Sequence, residues 1–186
     1  MGLVFSLWQV SVAMAWKNSL WYNRISVSRT YGVLCTDAGV MILEFCEGSG
    51  EMNHKLLMKE AMEAMKSAYA PYSHFRVGAA LLCEDGTVYR GCNVENASYP
   101  AGICAERTAI FKAVSEGKRK FTAIAICGGK DGVITETCPP CGICRQVMRE
   151  FAEPGVFQIV LGMSEEDLTV CTLEELLPMS FGPENI

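Results

Sequence analysis

Downstream of Met52, the spacing of apolar residues changes repeatedly between a helical period and a strand period. The segment NHKLLMKEAMEAMKSAY, residues 53–69, places its apolar residues on one helical face, and this predicts a helix with Asn53 as its N-cap and an end before Pro71. The next segment, FRVGAALLCEDGTVYRGCNVE, contains two strand-like runs joined by Asp85-Gly86, which is typical of a β-hairpin.

Three further helices and three further strands follow. CAERTAIFKAVSEG and CGICRQVMREFA have helical patterns, and TLEELLP is a short helix in which Thr172 and Glu175 match a capping box. FTAIAICGG, VFQIVLG and LTVCTL have the composition of strands. The order of these elements predicts an α/β fold with three layers, in which a central five-stranded mixed sheet carries helices on both faces.

Residues 1–51 lack a sustained helical or strand period. We therefore predict a poorly ordered N-terminal extension over residues 1–51 and a catalytic domain over residues 52–186, with Met52 as a possible alternative start of translation. The apolar segment 1–16 contains AMA, which resembles a signal-peptidase site, but it lacks the basic residues that precede a secretory signal.

The composition narrows the class of function. The formal net charge is −5 and the sequence pI is about 5.1, whereas a nucleic-acid-binding surface is normally basic. No apolar run is long enough to span a bilayer. Ten cysteines in 186 residues, several of them beside polar chemistry-bearing residues, indicate metal binding or catalysis in a reducing compartment such as the cytoplasm.

Three of the cysteines have the spacing of a metal site. Cys104 precedes one predicted helix, and Cys141 and Cys144 form a C-x-x-C pair at the start of another. The combination of C-A-E with P-C-x-x-C matches the signature of zinc deaminases, in which three protein ligands leave one zinc position open. The alternatives are a redox dithiol or a closed structural zinc site, for which Cys138 is the candidate fourth ligand.

Acid–base chemistry requires a group beside the metal, and Glu106 lies two residues after a predicted ligand. We expect burial to raise its pKa toward the working pH. Three thiolates give a zinc site a net negative charge, which Arg107 can offset by donating to a ligand sulfur. Arg145 is a second candidate for this role.

Residues 52–183 resemble the small, single-domain cytidine deaminases. The motifs that carry the resemblance are AYAPYSHFRVGAALL, GCNVENASY, CAERTAI, PCGICRQV and LLPMSFGP. The resemblance implies a cytidine-deaminase-like fold with one Zn²⁺ per chain and a homotetramer whose sites are completed by neighbouring chains. It implies that Asn93 and Glu95 bind the ribose 3′-hydroxyl, that Phe75 packs on the pyrimidine ring and that the backbone of Ala105 binds the base edge. It also implies that Phe181 closes the site of a neighbouring chain, that Tyr99 lies near a subunit boundary and that Arg107 offsets the charge of the thiolates.

The implied activity is hydrolytic deamination of cytidine and deoxycytidine to uridine and deoxyuridine with release of ammonia, a reaction of pyrimidine salvage. A related alternative is deamination of another free cytosine-containing molecule such as blasticidin S. Nucleic-acid editing is disfavoured by the acidic pI, and a membrane partner is not expected. The remaining alternative is a binding module with structural zinc, in which Glu106 would be dispensable.

Overall fold

The computed structural model describes the backbone of residues 12–17, 20–27, 29–36, 39–44 and 50–186, and side chains from residue 54 onward. The chain divides into two compact units, residues 1–49 and residues 50–186. The prediction of an extension and a catalytic domain, with its boundary near Met52, stays a prediction. Within the described residues, no helix combines the length and the apolar character that crossing a membrane requires.

The first unit contains four antiparallel strands that the sequence pattern did not predict. They are β1 (Val12–Lys17), β2 (Leu20–Val27), β3 (Arg29–Thr36) and β4 (Gly39–Glu44), in the sheet order β1-β2-β3-β4. The physical reason is visible in β1, whose sequence VAMAWK is apolar at every position but the last, so that no alternation marks a strand.

The second unit follows the predicted order of elements. Its members are α1 (Gly50–Met65), β5 (Phe75–Cys83), β6 (Val88–Cys92), α2 (Ala105–Ser115), β7 (Phe121–Lys130), α3 (Gly142–Phe151), β8 (Gln158–Gly162), β9 (Leu168–Thr172) and α4 (Leu173–Leu176). Helix α1 begins at Gly50, so the expectation that Asn53 is its N-cap is wrong. An N-cap preference is a local signal of about 1 kcal/mol, and one more helical turn overrides it here.

The five strands form one mixed sheet, as predicted, and their order in the sheet is β6-β5-β7-β8-β9. Strand β5 is antiparallel to both β6 and β7, β7 is parallel to β8, and β8 is antiparallel to β9. Strands β6 and β7 therefore run in the same direction. Helix α2 follows β6 and helix α3 follows β7, so both helices begin at the same edge of the sheet.

Two buried clusters lie on opposite faces of the sheet, because successive side chains of a strand point to opposite sides. On one face, Ala123 and Ala125 of β7 belong to the cluster that includes the apolar residues of α1. On the other face, Ile124 and Ile126 belong to the cluster that includes residues of α2 and α3. The small residues face α1 and the larger ones face the other two helices, which completes the predicted three layers.

Glycines let two helices lie directly on the sheet. A Cβ added to Gly78 of β5 would lie 2.5 Å from the backbone nitrogen of Met65 in α1. A Cβ added to Gly91 of β6 would lie 2.5 Å from the backbone nitrogen of Ala109 in α2. The second contact sets the distance between the first turns of α2 and the sheet.

Candidate active site

A cleft of about 570 Å³ opens at the edge of the sheet where α2 and α3 begin. In α/β folds, ligands commonly bind outside the carboxyl ends of the strands. The residues that line it come from the turn before β5, the segment after β6 and the starts of the two helices: Tyr72, Ser73, Val77, Asn93, Val94, Glu95, Asn96, Tyr99, Gly102, Ile103, Cys104, Glu106, Arg107, Cys138, Pro139 and Cys141.

The three predicted metal ligands come together at one end of this cleft, where Cys104 and Cys141 line it and Cys144 is buried beside them. Cys104 is the N-cap residue of α2, Cys141 is the N-cap residue of α3, and Cys144 lies in the first turn of α3. Neither N-cap sulfur makes a side-chain capping bond. The three sulfurs all lie within 4.8 Å of one another, and those of Cys104 and Cys141 are 3.9 Å apart.

This donor set fits a zinc ion. Zinc–sulfur bonds of about 2.3 Å in a tetrahedral arrangement place the sulfurs about 3.8 Å apart. In the described part of the chain, the cluster of possible metal ligands contains these three cysteines and leaves out Cys138. Three ligands are the number found in catalytic zinc sites, whereas structural sites have four.

The ionisation of the thiols also favours a cation. A hydrogen bond from Cys144, together with Arg107, lowers the pKa of Cys104 to about 5. The same hydrogen bond and burial raise the pKa of Cys144 above its ordinary value. One thiolate therefore opposes the formation of a second, and a divalent cation removes this conflict because it stabilises all the thiolates at once.

Cys138 lines the cleft, but its chemistry differs from that of the three clustered cysteines. Burial raises the pKa of its thiol to about 11, with smaller contributions from Glu106 and Cys104. At neutral pH, Cys138 is therefore a neutral thiol. A Cβ added to Gly128 would lie 3.1 Å from the sulfur of Cys138 and 3.1 Å from the Phe75 ring, so this glycine makes room for both side chains.

Glu106 is the second residue of α2 and lines the cleft beside the cysteines. It is buried, with 4% of its surface exposed, although most glutamates lie in solvent. Burial raises the pKa of its carboxyl, as expected from the sequence, and the negative charge of Cys104 adds to this effect. A raised pKa makes this carboxyl group a better proton acceptor than an ordinary glutamate.

The two candidate arginines have different contacts. Arg107 donates from Nη2 to the sulfur of Cys104 over 3.5 Å, and this interaction raises the pKa of its guanidinium. Arg145 instead donates from Nε to the carbonyl of Pro140 over 2.8 Å and from Nη1 to the carbonyl of Leu176 over 2.6 Å. Of the two arginines, Arg107 therefore contacts a predicted ligand sulfur, whereas Arg145 contacts the backbone before Cys141.

Asn93 and Glu95 both line the cleft away from the cysteines. The side chain of Asn93 bridges the start of β5: its Oδ1 accepts from the Val77 amide over 2.8 Å, and its Nδ2 donates to the Phe75 carbonyl over 2.8 Å. One N–H of this amide and one lone pair of its oxygen remain available for a ligand.

Glu95 is held by a turn that the sequence interpretation missed. Its carboxylate accepts from the backbone amides of Tyr72 and Ser73, over 2.9 and 3.2 Å, and from the Ser73 hydroxyl. These bonds lower the pKa of Glu95, with the Ser73 hydroxyl as the largest cause. The sequence signal was Pro71-Tyr72-Ser73 after a helix, which is typical of a turn but does not indicate which carboxylate the turn binds.

The other predicted substrate residues are distributed around the site. Tyr99 lines the cleft and is 78% exposed, with its ring 6.3 Å from that of Tyr72. Ala105 occupies the first position of α2, where backbone amides have no partner within the helix. Phe75, Ala105 and Phe181 are not among the residues that line the cleft of this chain. Phe181 is 62% exposed.

The fold and the cysteine–glutamate cluster define the class of zinc-dependent deaminases. The family model described as "Cytidine and deoxycytidylate deaminase zinc-binding region" matches residues 51–162. The chain is 49% identical to cytidine deaminase of Halalkalibacterium halodurans over 73% of this chain and 98% of that protein. It is 46% identical to cytidine deaminase of Sporosarcina psychrophila over 73% of this chain and 96% of that protein.

Solved structures agree with these relatives. The crystal structure of cytidine deaminase from Burkholderia pseudomallei matches with a TM-score of 0.63 at 47% sequence identity, over 69% of this chain and 98% of that chain. The chain belongs to the cytidine deaminase family. Zinc is the cofactor that this family and the three-cysteine group support.

Proposed function

We propose that this chain deaminates cytidine and deoxycytidine hydrolytically, giving uridine or deoxyuridine and ammonia. Glu106 is the proton carrier, and the zinc ligands are Cys104, Cys141 and Cys144. The observation that carries the proposal is a buried carboxyl group beside three clustered thiols in a cleft of about 570 Å³. Ligand-binding clefts commonly have volumes of about 300–1,000 Å³.

A zinc ion bound by these cysteines supplies the Lewis acidity that makes water nucleophilic at neutral pH. Glu106 accepts the proton of the attacking water and delivers it to N3 of the pyrimidine, while oxygen bonds to C4. It then transfers the remaining hydroxyl proton to the amino group at C4. The C4–N bond breaks, and ammonia leaves as the carbonyl of uracil forms, so that atoms and charges balance.

The remaining cleft residues bind and orient the nucleoside. The free N–H of Asn93 donates to the ribose 3′-hydroxyl, and the carboxylate of Glu95 accepts from the same hydroxyl. The backbone of Ala105 binds the base edge, and Phe75, whose ring lies near Gly128, packs on the pyrimidine. Arg107 withdraws negative charge from the sulfur of Cys104.

The functional unit in this proposal is a homotetramer in the cytoplasm, acting in pyrimidine salvage, with neither nucleic acid nor membrane as a partner. Phe181 closes the cleft of a neighbouring chain, and Tyr99 lies at a subunit boundary. The large exposed fractions of both aromatic rings support this assignment. The alternative substrate, another free cytosine-containing molecule such as blasticidin S, is not favoured, because the curated relatives are cytidine deaminases.

The test is to incubate the purified chain with cytidine and to follow its ultraviolet conversion to uridine, with a chelator-treated sample as a control. We expect Glu106→Gln to keep zinc and the fold but to lower turnover by at least about 10²-fold, the lower range for general acid–base catalysis. Glu150→Gln, at an exposed position of α3, is the matched control and should retain wild-type turnover. More than a tenth of wild-type activity in Glu106→Gln would exclude the assigned role.

A further inference from the structure

Arg149 is a buried charged residue that the deamination chemistry leaves unexplained. Within residues 54–186, the buried charged residues are Glu106 and Arg149, and 8% of Arg149 is exposed. Arg149 lies in the last turn of α3, the helix whose other end carries Cys141 and Cys144. A guanidinium group removed from water requires hydrogen-bonding partners, because an unpaired buried charge strongly destabilises a fold.

The partners of Arg149 all lie in the C-terminal segment, residues 180–184. Its Nε donates to the hydroxyl of Ser180 over 2.9 Å, and its Nη2 pairs with the carboxylate of Glu184. The guanidinium plane lies against Gly182, since a Cβ added there would be 2.6 Å from Nη1. The arginine therefore contacts the segment on both sides of Phe181.

A second residue of the same helix holds Phe181 itself. Gln146 donates from Nε2 to the backbone carbonyl of Phe181 over 3.0 Å. Gln146 and Arg149 are three positions apart and therefore lie on one face of α3. The backbone of Phe181 is fixed by this face, while its ring is 62% exposed and does not line the cleft of its own chain.

An exposed aromatic ring on a fixed backbone is suited to binding, because residues 180–184 are already ordered before a partner binds and lose little further conformational entropy. Fixing the backbone of a free residue costs conformational entropy, which reduces the net free energy of binding. Without the arginine, the segment around Phe181 would have to be ordered during binding, and the apparent affinity would fall.

We propose that Arg149 is a positioning residue that holds residues 180–184 so that Phe181 completes the cleft of a second copy of this chain. The inference rests on the proposed function, since it assigns a support to the aromatic residue that the proposal places in a neighbour's site. Helix α3 then has two tasks, holding zinc ligands at its N-terminal end and presenting Phe181 from the opposite end.

The test compares Arg149→Gln and Gly182→Ala with Phe181→Ala. The alanine Cβ at position 182 occupies the space of the guanidinium and displaces it without removing the charge. We expect each variant to raise the KM for cytidine about two- to tenfold, the range of an aromatic contact, while kcat and zinc content change less than about twofold. Glu150→Gln, at the adjacent exposed position of α3, is the control and should leave the KM unchanged.

A mixed assembly separates positioning in trans from a structural effect within one chain. Differently tagged Arg149→Gln and Glu106→Gln chains are co-expressed, and assemblies that carry both tags are purified. The Glu106→Gln chains lack their own turnover but present an intact Phe181, so the KM of the mixed assemblies should move back toward the wild-type value. A KM that stays raised would overturn the inference, because Arg149 would then act within its own chain.

The two proposals fail in distinguishable ways. If Phe181→Ala raises the KM while Arg149→Gln and Gly182→Ala leave it unchanged, the inference is overturned and the proposed function stands. If the wild-type chain with zinc does not convert cytidine, the proposed function is overturned, and the inference with it.

Discussion

The contact between Gly91 and helix α2 gives a sharp test of how the sheet positions the site. A Cβ at Gly91 would lie 2.5 Å from the nitrogen and 3.0 Å from the Cα of Ala109. Real Cβ atoms do not approach backbone this closely, and a backbone in a packed helix cannot turn aside as a flexible side chain can. Gly91→Ala must therefore move the first turns of α2, which carry Cys104 and Glu106.

The magnitude follows from the cost of overpacking. Extra methyl groups in a well-packed core destabilise a protein by about 1–3 kcal/mol, and we expect the upper part of this range because the obstructing atoms are backbone. With a urea m-value of about 2 kcal/mol/M, a loss of about 2–3 kcal/mol lowers the unfolding midpoint by roughly 1–1.5 M. Displacement of Cys104 should also accelerate zinc loss to a competing chelator.

Gly142→Ala is the matched control. It introduces the same methyl group one residue after Cys141, at a position where an added Cβ has no atom within 4 Å other than those of the adjacent residues and of the backbone of its own helix. Because alanine favours a helix over glycine by roughly 1 kcal/mol, this variant should be as stable as the wild type or slightly more so. Equal midpoints and equal zinc retention in Gly91→Ala and Gly142→Ala would refute the reasoning.

Three further predictions concern the metal site and the N-terminal unit. Cys104→Ala should lose zinc, whereas Cys138→Ala should keep both zinc and activity. Metal analysis of the two purified variants checks this prediction, and zinc loss in Cys138→Ala would indicate a site with four ligands. Arg107→Gln should lower turnover more than it lowers zinc content, because the substitution removes the guanidinium that donates to a ligand sulfur. If turnover and zinc content fall in parallel, Arg107 is a structural residue of the metal site. A chain beginning at Met52 should match the full chain in activity and zinc content, and its failure to fold would refute the boundary.

The sequence predicted the features that depend on neighbouring residues. The Asp85-Gly86 hairpin forms because glycine readily takes the left-handed conformation, here with φ of 84°, while the Asp85 side chain accepts from the Thr87 amide. The capping box of α4 forms between Thr172 and Glu175. The cysteine cluster was predictable for a different reason. The spacing of Cys141 and Cys144 in a C-x-x-C pair, together with Cys104 before another helix, is typical of ligands that bind one metal ion.

The features that the sequence did not predict depend on residues that are far apart along the chain. Ser73 and Glu95 are separated by 22 residues, and Arg149 and Glu184 by 35. Each of these residues is of a polar type that is usually found on the surface of a protein, so its type alone does not indicate a specific contact. The arrangement of the strands and helices determines which of these polar residues contact each other. The spacing of the residues along the chain therefore does not predict these contacts.

The charges around the cleft favour an uncharged nucleoside over a nucleotide as the substrate of the proposed reaction. A zinc dication held by the three cysteines would act together with Arg107 and the N-terminal ends of α2 and α3 to offset the charges of the thiolates and of an ionised Glu106. Each of the two helix N-termini is equivalent to about half a positive charge. These charges nearly cancel, and the guanidinium of Arg107 already donates to a thiolate.

At the sugar end, hydrogen bonds from Ser73 and Tyr72 keep the pKa of Glu95 low, so its carboxylate is ionised at neutral pH. Among the described residues that line the cleft, none is a lysine or a histidine that could bind a phosphate. A phosphate group near Glu95 would therefore meet the negative charge of this carboxylate, whereas a ribose hydroxyl would meet a hydrogen-bond acceptor.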